Sequence, residues 1–252
     1  MLGRFLEANR EASRYLEARL PQARVNTQTI YRETVAEYMN ARPGQVVVDV
    51  GGGKSCSFAD RRRPELGTKI IAVDVSAEEL AVNEDADEKH VADVTGGLPL
   101  GDEEADLVVS HSVLEHLTSV RPFVADTRRV LKPGGYTIHR FPSKLAPFSV
   151  ANRLLPRELS RRLLKALIPG SSGRLGFPAY YDRCTDHGMR RLLEEEGFEV
   201  VGSRVSYYQS DYFEFALPVY LVSALYELVV SALRLRPLAA TVVVVARKPG
   251  AG

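Results

Sequence analysis

The stretch VVVDVGGGKS, at residues 46–55, constrains the fold more than any other part of the sequence. Five residues typical of a buried strand lead directly into three consecutive glycines. Glycine allows backbone conformations and close approaches that a Cβ atom forbids. A strand that ends in glycines and feeds a helix is typical of a ligand-binding turn in an open α/β sheet. A tight turn without a ligand would use the same residues, so this stretch alone leaves both interpretations open.

Further apolar runs recur along the chain, separated by stretches of helical length. They predict strands at Gln45–Val50, Lys69–Val75, Ala105–Ser110, Tyr136–Phe141 and Ala240–Lys248, a shorter strand near His90–Asp93, and another after a helix that stops at Gly197. Apolar strands that alternate with helices indicate a parallel sheet covered on both faces. The predicted fold class is therefore α/β, with a doubly wound, mostly parallel open sheet.

The chain shows no sign of division into several domains. Residues 30–39 place apolar side chains at helical spacing, and no internal repeat or low-complexity linker interrupts the 252 residues. We therefore predict a single domain over residues 1–252. Its predicted parts are a helical cap (1–44), a ligand-binding core (45–143), two helical insertions (144–181 and 208–238), and a final helix and strands (182–207 and 239–248).

Composition narrows the range of partners and the cellular compartment to be expected for the protein. The formal net charge of +1 gives no indication of a nucleic-acid partner. The two cysteines, Cys56 and Cys184, share no metal-type spacing, which favours a reducing cytosolic environment. The first twenty residues lack the apolar core and the cleavage site of a signal peptide. We therefore expect a cytoplasmic protein.

An acidic residue closes the second predicted strand. Asp74 lies a little over twenty residues beyond the glycines, where a carboxylate can accept both hydroxyls of a ribose. This position suits NAD and equally any adenosyl ligand. The dinucleotide pattern G-x-G-x-x-G requires a glycine at position 56, where this chain has Cys56. The departure weighs against NAD without excluding it.

Four motifs in one order carry a family resemblance: VVVDVGGGKS, IIAVDVS, VADVTGGLPLGDEEADLVVSHSVLEHL and RVLKPGGY. Together they resemble the class I S-adenosylmethionine-dependent methyltransferases, in particular the methyltransferase type 11 group. The resemblance covers about Gln45–Ser143 and implies a Rossmann-like methyltransferase fold. The chain departs from the family at Ser55, where a third glycine of the motif often stands.

The resemblance implies S-adenosylmethionine as cofactor and assigns roles to residues of the core. The glycines would pass beneath the methionine part, Asp49 would contact the amino-acid end and Asp74 the ribose. Asp93 and the Val94 amide would contact the adenine. The full predicted cofactor set is Asp49, Val50, Gly51, Gly52, Gly53, Asp74, Val75, Asp93, Val94 and Ser110.

Methyl transfer from a sulfonium is an in-line displacement, in which alignment of the reactants lowers the barrier by roughly 7–11 kcal/mol. A general base helps when the acceptor must lose a proton. His111 and His116 are the candidate bases near the end of the third long strand. For His116, packing or capping of the next helix is the favoured alternative. Glu115 and His116 offer too few ligands to predict a metal.

Three residues are candidates for binding the acceptor. Strand alternation predicts that either His139 or Arg140 faces the cleft, where Arg140 would hold an anionic acceptor. Its alternative role is a salt bridge at the end of the sheet. Tyr180 and Tyr181 end the first insertion and would form a wall of the acceptor pocket, or would simply be partly buried.

The two insertions suggest where the protein would encounter its acceptor and what class of acceptor it would bind. Residues 156–170 read as a basic amphipathic helix and residues 215–233 as a broadly apolar helix. A strand that rejoins the sheet soon after residue 233 argues against a membrane span. The apolar helix would instead pack on the core, form a homodimer, or contact a membrane surface peripherally. The acceptor is therefore expected to be a small molecule or lipid-linked.

Two other functions stay open from the sequence. A non-catalytic protein that binds an adenosyl ligand, or a scaffold, would use the same glycine turn. An NAD-dependent oxidoreductase is the weaker alternative, because the dinucleotide pattern is broken at Cys56.

Overall fold

A computed structural model describes residues 2–21, 25–154 and 178–250. Within these residues, seven strands form one sheet: β1 (Val46–Val50), β2 (Lys69–Asp74), β3 (Glu88–Val91), β4 (Ala105–His111), β5 (Leu131–Pro142), β6 (Glu199–Ser206) and β7 (Thr241–Arg247). The helices are α1 (Leu2–Glu17), α2 (Thr27–Met39), α3 (Ala77–Ala81), α4 (Arg121–Val130), α5 (Pro147–Leu154), α6 (Asp186–Glu195) and α7 (Leu217–Ala232). The predicted α/β class is confirmed.

The strands lie in the order β3-β2-β1-β4-β5-β7-β6. The pairs from β3 to β5 are all parallel, and β7 runs antiparallel between β5 and β6. The order reverses between β1 and β4, which pair directly. Such a reversal is a topological switch point, and open α/β sheets bind ligands there, outside the carboxyl ends of the strands.

One strand begins earlier than the sequence indicated. The predicted strand spans Tyr136–Phe141 and begins after LKPGG at residues 131–135. Instead β5 begins at Leu131, immediately after α4. The pairing of β4 with β5 shifts register between Ala105 and Leu107, so the glycines are accommodated by an irregularity within the strand.

Helices cover the sheet on both faces. On one face, α4 and α6 bury Phe123, Met189 and Leu192 against strand residues such as Val48 and Val108. On the other, α2 and α3 cover a second set of strand residues: Val47, Ile70, Leu107, Val109 and Ile138. Strand residues of alternate position thus enter opposite layers, as a doubly wound sheet requires.

Helix α2 carries a stripe of buried side chains. Asn26 caps its N-terminus by accepting from the backbone N–H groups of Gln28 and Thr29. Tyr31, Val35 and Met39, four residues apart, are all fully buried. This spacing places them on one side of the helix, and they fix α2 across the sheet.

Helix α7 buries polar side chains and exposes several of its apolar ones. Glu227 and Tyr220 are fully buried, whereas Val222, Leu225 and Leu233 are 71%, 63% and 63% exposed. The Glu227 carboxylate accepts hydrogen bonds from the backbone N–H of Gln209 (2.9 Å) and other nearby donors. An apolar outer face of this kind marks a candidate contact surface.

Among the described residues, no helix has the length and hydropathy needed to cross a membrane. The predicted basic helix at residues 156–170 and much of the insertion 144–181 lie outside the described residues. The division into one domain with a cap and two insertions stays a prediction.

A matched pair of substitutions tests the packing of α2. Val35→Ala should lower the free energy of unfolding by roughly 2 kcal/mol, because it removes two buried methyl groups and leaves a cavity. Val82→Ala makes the same chemical change at a side chain that is 60% exposed, and should have little effect. Urea unfolding followed by circular dichroism measures both. Equal losses would contradict the assignment of α2 to the core.

Candidate functional site

The candidate site lies where the carboxyl ends of β1, β2, β4 and β5 meet. Residues 51–53 follow β1, Asp74 ends β2 and His111 ends β4. Arg140 lies directly opposite His111 in the β4–β5 register. Because these strands are parallel neighbours, residues far apart in sequence converge at the switch point of the sheet.

Protein atoms already surround the glycine turn. Gly51 has a φ of +76°, and a Cβ atom there would lie 2.3 Å from Cγ2 of Val113. At Gly52 a Cβ would lie 2.9 Å from Cβ of Ala72. Both distances are shorter than side chains tolerate, so the fold itself requires glycine here. The tight-turn interpretation therefore explains Gly51 and Gly52 without a ligand. A bound ligand would be a second reason for glycine at these positions.

Asp74 holds the turn in place through both carboxylate oxygens. Oδ2 accepts from the Gly53 N–H at 3.0 Å, and Oδ1 accepts from the Ser76 N–H at 2.9 Å. Each oxygen keeps a second lone pair, so the carboxylate can also accept from a ribose hydroxyl. The arrangement fits the role predicted for Asp74 and gives the same residue a structural role.

Two residues that no sequence motif indicated, Asn83 and Asp85, secure the far side of the turn. The buried Asn83 amide donates to the carbonyl oxygens of Gly52 and Gly53, each at 3.0 Å. The Asp85 carboxylate accepts from the Cys56 N–H at 2.9 Å. The only sequence signal was the polar run NEDAD just before β3, which a solvent-exposed loop would equally explain.

Carboxyl groups dominate the charge around the turn. Asp49 is only 5% exposed, and burial raises its pKa from 3.8 to about 7. A hydrogen bond with Cys56 opposes this shift, while the negative charges of Asp74 and Asp85 add to it. A cationic ligand placed here would relieve the repulsion among these carboxylates.

The other predicted cofactor residues are placed along the same edge. Asp93 follows β3, is exposed, and accepts from the Thr95 N–H and hydroxyl at 2.9 and 2.7 Å. Val94 and Val50 are buried, and Val75 is 52% exposed. Their proposed contacts with a cofactor stay predictions.

Ser110 takes part in a buried hydrogen-bond chain on the α4 face. The Thr137 hydroxyl donates to the Val108 carbonyl, so it accepts from Nε2 of His139 at 2.7 Å. Nδ1 of His139 therefore accepts from the Ser110 hydroxyl at 2.8 Å. Burial lowers the pKa of His139 to about 3. This histidine is a neutral structural group, and of the pair His139 and Arg140 it is Arg140 that reaches the site.

Arg140 joins three elements. Its guanidinium donates to the hydroxyl of Thr27 in α2 at 3.1 Å, and to the hydroxyl of Ser112 at 3.4 Å. It also lies 3.0 Å from Nε2 of His111. Because a guanidinium only donates, this Nε2 accepts and the imidazole is neutral. His111 could take up a proton at Nε2 only if Arg140 moved away.

The second candidate base, His116, is held by the last residues of the first insertion. Its Nδ1–H donates to the carbonyl of Pro178 at 3.0 Å. The backbone N–H groups of Tyr180 and Tyr181 both donate to the Glu115 carbonyl, at 2.7 and 3.1 Å. The turn at residues 114–116 therefore fixes the position of residues 178–181. Tyr181 is 3% exposed and Tyr180 is 44% exposed, so the two tyrosines have different environments.

The Glu115 side chain is a further group whose role the sequence did not identify. It is 5% exposed, and its Oε2 accepts no hydrogen bond from any described residue. Burial raises the pKa of Glu115 from 4.5 to about 8, and the Arg140 charge opposes the shift. A buried carboxyl that titrates near neutral pH, close to an arginine at the sheet edge, is a candidate proton-handling group.

Residues 48–139 match the family of methyltransferase domains. A ubiquinone/menaquinone biosynthesis C-methyltransferase UbiE of Caulobacter vibrioides is 31% identical over 119 residues, which cover 42% of this chain and 47% of that protein. A demethylmenaquinone methyltransferase of Tropheryma whipplei is 27% identical over 189 residues, which cover 67% and 72%. The chain thus spans about half the length of the first of these curated relatives.

Among solved structures, that of the cyclase SpnF superposes with a TM-score of 0.56 at 18% identity, covering 87% of this chain and 80% of the other. At this identity the likeness shows a shared fold. The motifs quoted above lie within or beside the matched segment 48–139, so family match and fold agree on the same part of the chain.

The pH dependence of stability tests the state of Glu115. The folded protein keeps a proton on this carboxyl up to about pH 8, which the unfolded chain releases near pH 4.5. Glu115 therefore lowers the stability of the wild type progressively as pH rises between these values. In Glu115→Gln, stability relative to wild type should rise by an amount on the order of a few kcal/mol between about pH 5 and about pH 8.

Urea unfolding at several pH values measures this difference. Glu65→Gln is the control, because it makes the same change at an exposed glutamate. A pH-independent difference between wild type and Glu115→Gln would mean that this carboxyl is ionised in the folded protein.

Proposed function

We propose that this chain, which belongs to the class I S-adenosylmethionine-dependent methyltransferases, transfers a methyl group from S-adenosylmethionine to a small-molecule or lipid-linked acceptor. One observation carries the proposal. A glycine turn at the switch point of the sheet is surrounded by three carboxylates, those of Asp49, Asp74 and Asp85.

The charge of the turn distinguishes between the two cofactor classes. S-adenosylmethionine carries a cationic sulfonium and an ammonium group, which carboxylates attract. The pyrophosphate of NAD is anionic, and Asp49, Asp74 and Asp85 would repel it. An NAD-dependent oxidoreductase is therefore disfavoured by electrostatics as well as by Cys56. The residues present fit an adenosyl sulfonium better than a dinucleotide.

The cofactor-binding roles follow from position along the sheet edge. We assign the amino-acid end of the cofactor to the region of residues 49–53, the ribose to Asp74, and the adenine to Asp93 and Val94. Val50, Val75 and Ser110 complete the set. Support comes from the geometry: these residues end or follow β1, β2, β3 and β4 in the spatial order that an extended adenosyl ligand would meet.

Bound S-adenosylmethionine supplies a methyl group on a sulfur that leaves readily. The task left to this chain is to orient the acceptor and to accommodate any proton that it loses. We assign orientation of an anionic or hydroxyl-bearing acceptor to Arg140, whose guanidinium is already fixed by Thr27 and Ser112. Tyr180 and Tyr181 are proposed to wall the acceptor side.

Three groups compete for the proton. His111 has its Nε2 engaged by Arg140. The Nδ1–H of His116 donates to the Pro178 carbonyl, which makes Nε2 its basic nitrogen, 3.9 Å from Oε1 of Glu115. Glu115 is buried, has an Oε2 with no hydrogen bond to the described residues, and titrates near pH 8. We therefore propose Glu115 as the proton acceptor only above about pH 8, where its carboxyl is ionised; below that pH it already carries a proton, and the candidate bases stay His111 and His116.

The nature of the acceptor is the finer part of the proposal. The relatives from Caulobacter and Tropheryma bear the names of quinone methyltransferases, and the outer face of α7 exposes Val222, Leu225 and Leu233. We propose an acceptor with an apolar or polyprenyl part, which the protein meets by lying peripherally on a membrane surface through α7. A homodimer through residues 215–233 is the competing use of this face.

A non-catalytic role stays the alternative from another class. A scaffold that binds an adenosyl ligand would need the same turn, and the likeness to the cyclase SpnF shows that this fold is not confined to proteins named for methyl transfer. The match of residues 48–139 to methyltransferase domains favours an enzyme over such a scaffold.

Calorimetric titration with S-adenosylhomocysteine and with NADH tests the cofactor class. We expect binding of the first and none of the second. Because burial raises the pKa of Asp49 to about 7, the carboxyl is largely neutral below that pH and ionised above it. Affinity for the ammonium-bearing ligand should therefore rise about tenfold between about pH 6 and about pH 8.

Asp49→Asn is the matched variant, since it keeps the shape of the side chain and cannot ionise. Its affinity should show little dependence on pH over this range. Binding of NADH alone would overturn the proposed function. Binding of S-adenosylhomocysteine with the same pH dependence in both proteins would remove only the role of Asp49.

Co-sedimentation with vesicles of phosphatidylcholine, with and without phosphatidylglycerol, tests the use of α7. We expect binding that Val222→Asn weakens several-fold, because it places an amide on the exposed apolar face. Val82→Asn makes the same change at another exposed valine and should have no effect. A dimer in light scattering that Val222→Asn dissociates, with no vesicle binding, would favour the competing use.

A further inference from the structure

Cys56 is a buried residue of the glycine turn to which the proposed function gives no role. It closes the stretch GGGKSC at residues 51–56 and is 3% exposed. Burial raises the pKa of its thiol well above the ordinary value, and the neighbouring charge of Asp49 adds to the rise. The thiol therefore keeps its proton at neutral pH. A protonated thiol can donate one hydrogen bond and can accept others at its sulfur.

Two side chains determine the direction of the thiol proton. Nδ2 of Asn83 donates to Sγ of Cys56 at 3.8 Å, so the sulfur is an acceptor towards Asn83. The Cys56 side chain also forms a hydrogen bond with Asp49. An ionised carboxylate can only accept, so in this bond the thiol is the donor. The hydrogen bonds therefore run from Asn83 through Cys56 to Asp49.

Backbone contacts fix the start of this chain of hydrogen bonds. Oδ1 of Asn83 accepts from the N–H groups of Asp85 and Ala86 at 3.0 and 3.2 Å. The amide nitrogen of Asn83 therefore has to face the turn, where it also donates to two carbonyls of the glycine turn. The Cys56 N–H donates to the Asp85 carboxylate at 2.9 Å. Backbone and side chain of Cys56 are thus both held in place.

On the side of β2 and α3, Asp49 is surrounded by carboxylates. Asp74 ends β2 and Asp85 precedes β3, and the negative charge of each raises the pKa of Asp49. Glu79 of α3 also approaches the turn, since a Cβ atom on Gly53 would lie 3.0 Å from its Oε2. These groups all disfavour a negative charge on Asp49.

On the other side, α2 and β4 bring neutral groups towards Asp49. The Tyr31 hydroxyl is un-ionised, because burial raises its pKa. The ring of His111 lies 5.3 Å from the Tyr31 ring, and the positive charge of Arg140 acts on Tyr31 from β5. Within the described part of the chain, the interaction that lowers the pKa of Asp49 is its hydrogen bond with Cys56.

We propose that Cys56 is a positioning residue of the cofactor site, whose thiol donates to the Asp49 carboxylate and keeps it ionised, so that its charge attracts the ammonium group of S-adenosylmethionine. This inference rests on the proposed function and deepens it. Cys56 is buried and acts on the ligand through Asp49, while Asn83 orients its sulfur. The residue that breaks the dinucleotide pattern thereby gains a role in binding a cationic cofactor.

Loss of the thiol has an effect that is confined to a range of pH. Burial raises the pKa of Asp49 to about 7 even with the hydrogen bond from Cys56 in place. Without that donor the ionised form is less stable, so the pKa of Asp49 rises further. Between the two pKa values the carboxyl is ionised in the wild type and neutral in the variant. Well above both values it is ionised in either protein.

Calorimetric titration of Cys56→Ala with two ligands tests the inference between about pH 6 and about pH 9. S-adenosylhomocysteine carries the ammonium group, whereas methylthioadenosine keeps the adenosine and the thioether and lacks the amino-acid end. For S-adenosylhomocysteine, the midpoint of the pH dependence should rise by about one pH unit. The variant should therefore bind it about fivefold more weakly near pH 7 and equally well near pH 9. Its affinity for methylthioadenosine should equal that of the wild type at every pH.

Further variants separate the donor from the space that it fills. Cys56→Ser keeps a donor and should restore the wild-type midpoint, whereas Cys56→Val fills the space without a donor and should shift the midpoint as Cys56→Ala does. Cys184→Ala is the matched control, because it makes the same change at the other buried cysteine, and should cause no shift. In an Asp49→Asn background, Cys56→Ala should have no effect on the pH dependence, because position 49 no longer titrates.

Each remaining outcome decides against the inference. An equal loss of affinity for both ligands at every pH would mean that Cys56 only supports the fold of the turn. A midpoint shift in Cys56→Ala that Cys56→Val does not reproduce would assign the effect to the cavity. Unchanged midpoints in both, with S-adenosylhomocysteine still bound, would overturn the inference and leave the proposed function intact. A wild-type protein that binds neither ligand would remove the proposed function and this inference with it.

Discussion

Neighbouring side chains come so close to Gly51 and Gly52 that no Cβ atom fits at either position. This steric constraint fixes how β1 leaves the sheet, and the rest of the site is arranged around it. Asp74 and Asn83 then hold the turn from two sides, through the Gly53 N–H and through the carbonyls of Gly52 and Gly53. The turn is therefore formed before any ligand arrives, which reduces the ordering that binding would require.

Arg140 has the corresponding role on the other side of the switch point. Its guanidinium bonds to Thr27 of α2 and to Ser112, and it engages Nε2 of His111. One charged group thus fixes the cap helix to the ends of β4 and β5. It also stabilises the ionised form of Glu115, which burial disfavours. The position of α2 and the protonation of Glu115 therefore both depend on the same residue.

Helix α7 shows how the chain arranges a surface away from the cofactor turn. Its charged residue, Glu227, is buried and accepts from the Gln209 N–H, while its apolar residues Val222 and Leu225 face outward. Burying a carboxylate and exposing valine and leucine both oppose stability in water. The arrangement is consistent with a face whose partner, in the proposed function, is a lipid surface or a second copy of the chain.

The sequence alone determined the fold class, the strand positions to within a few residues, and the edge at which Asp74, His111 and Arg140 meet. Apolar runs and glycine positions encode these features locally, so they can be read without coordinates. The partners of Asn83, the choice between His139 and Arg140, and the burial of the Glu115 carboxyl were decided only by the tertiary structure. Each depends on contacts between elements remote in sequence, since burial and hydrogen-bond geometry arise only once α2, the glycine turn and the strands have packed together.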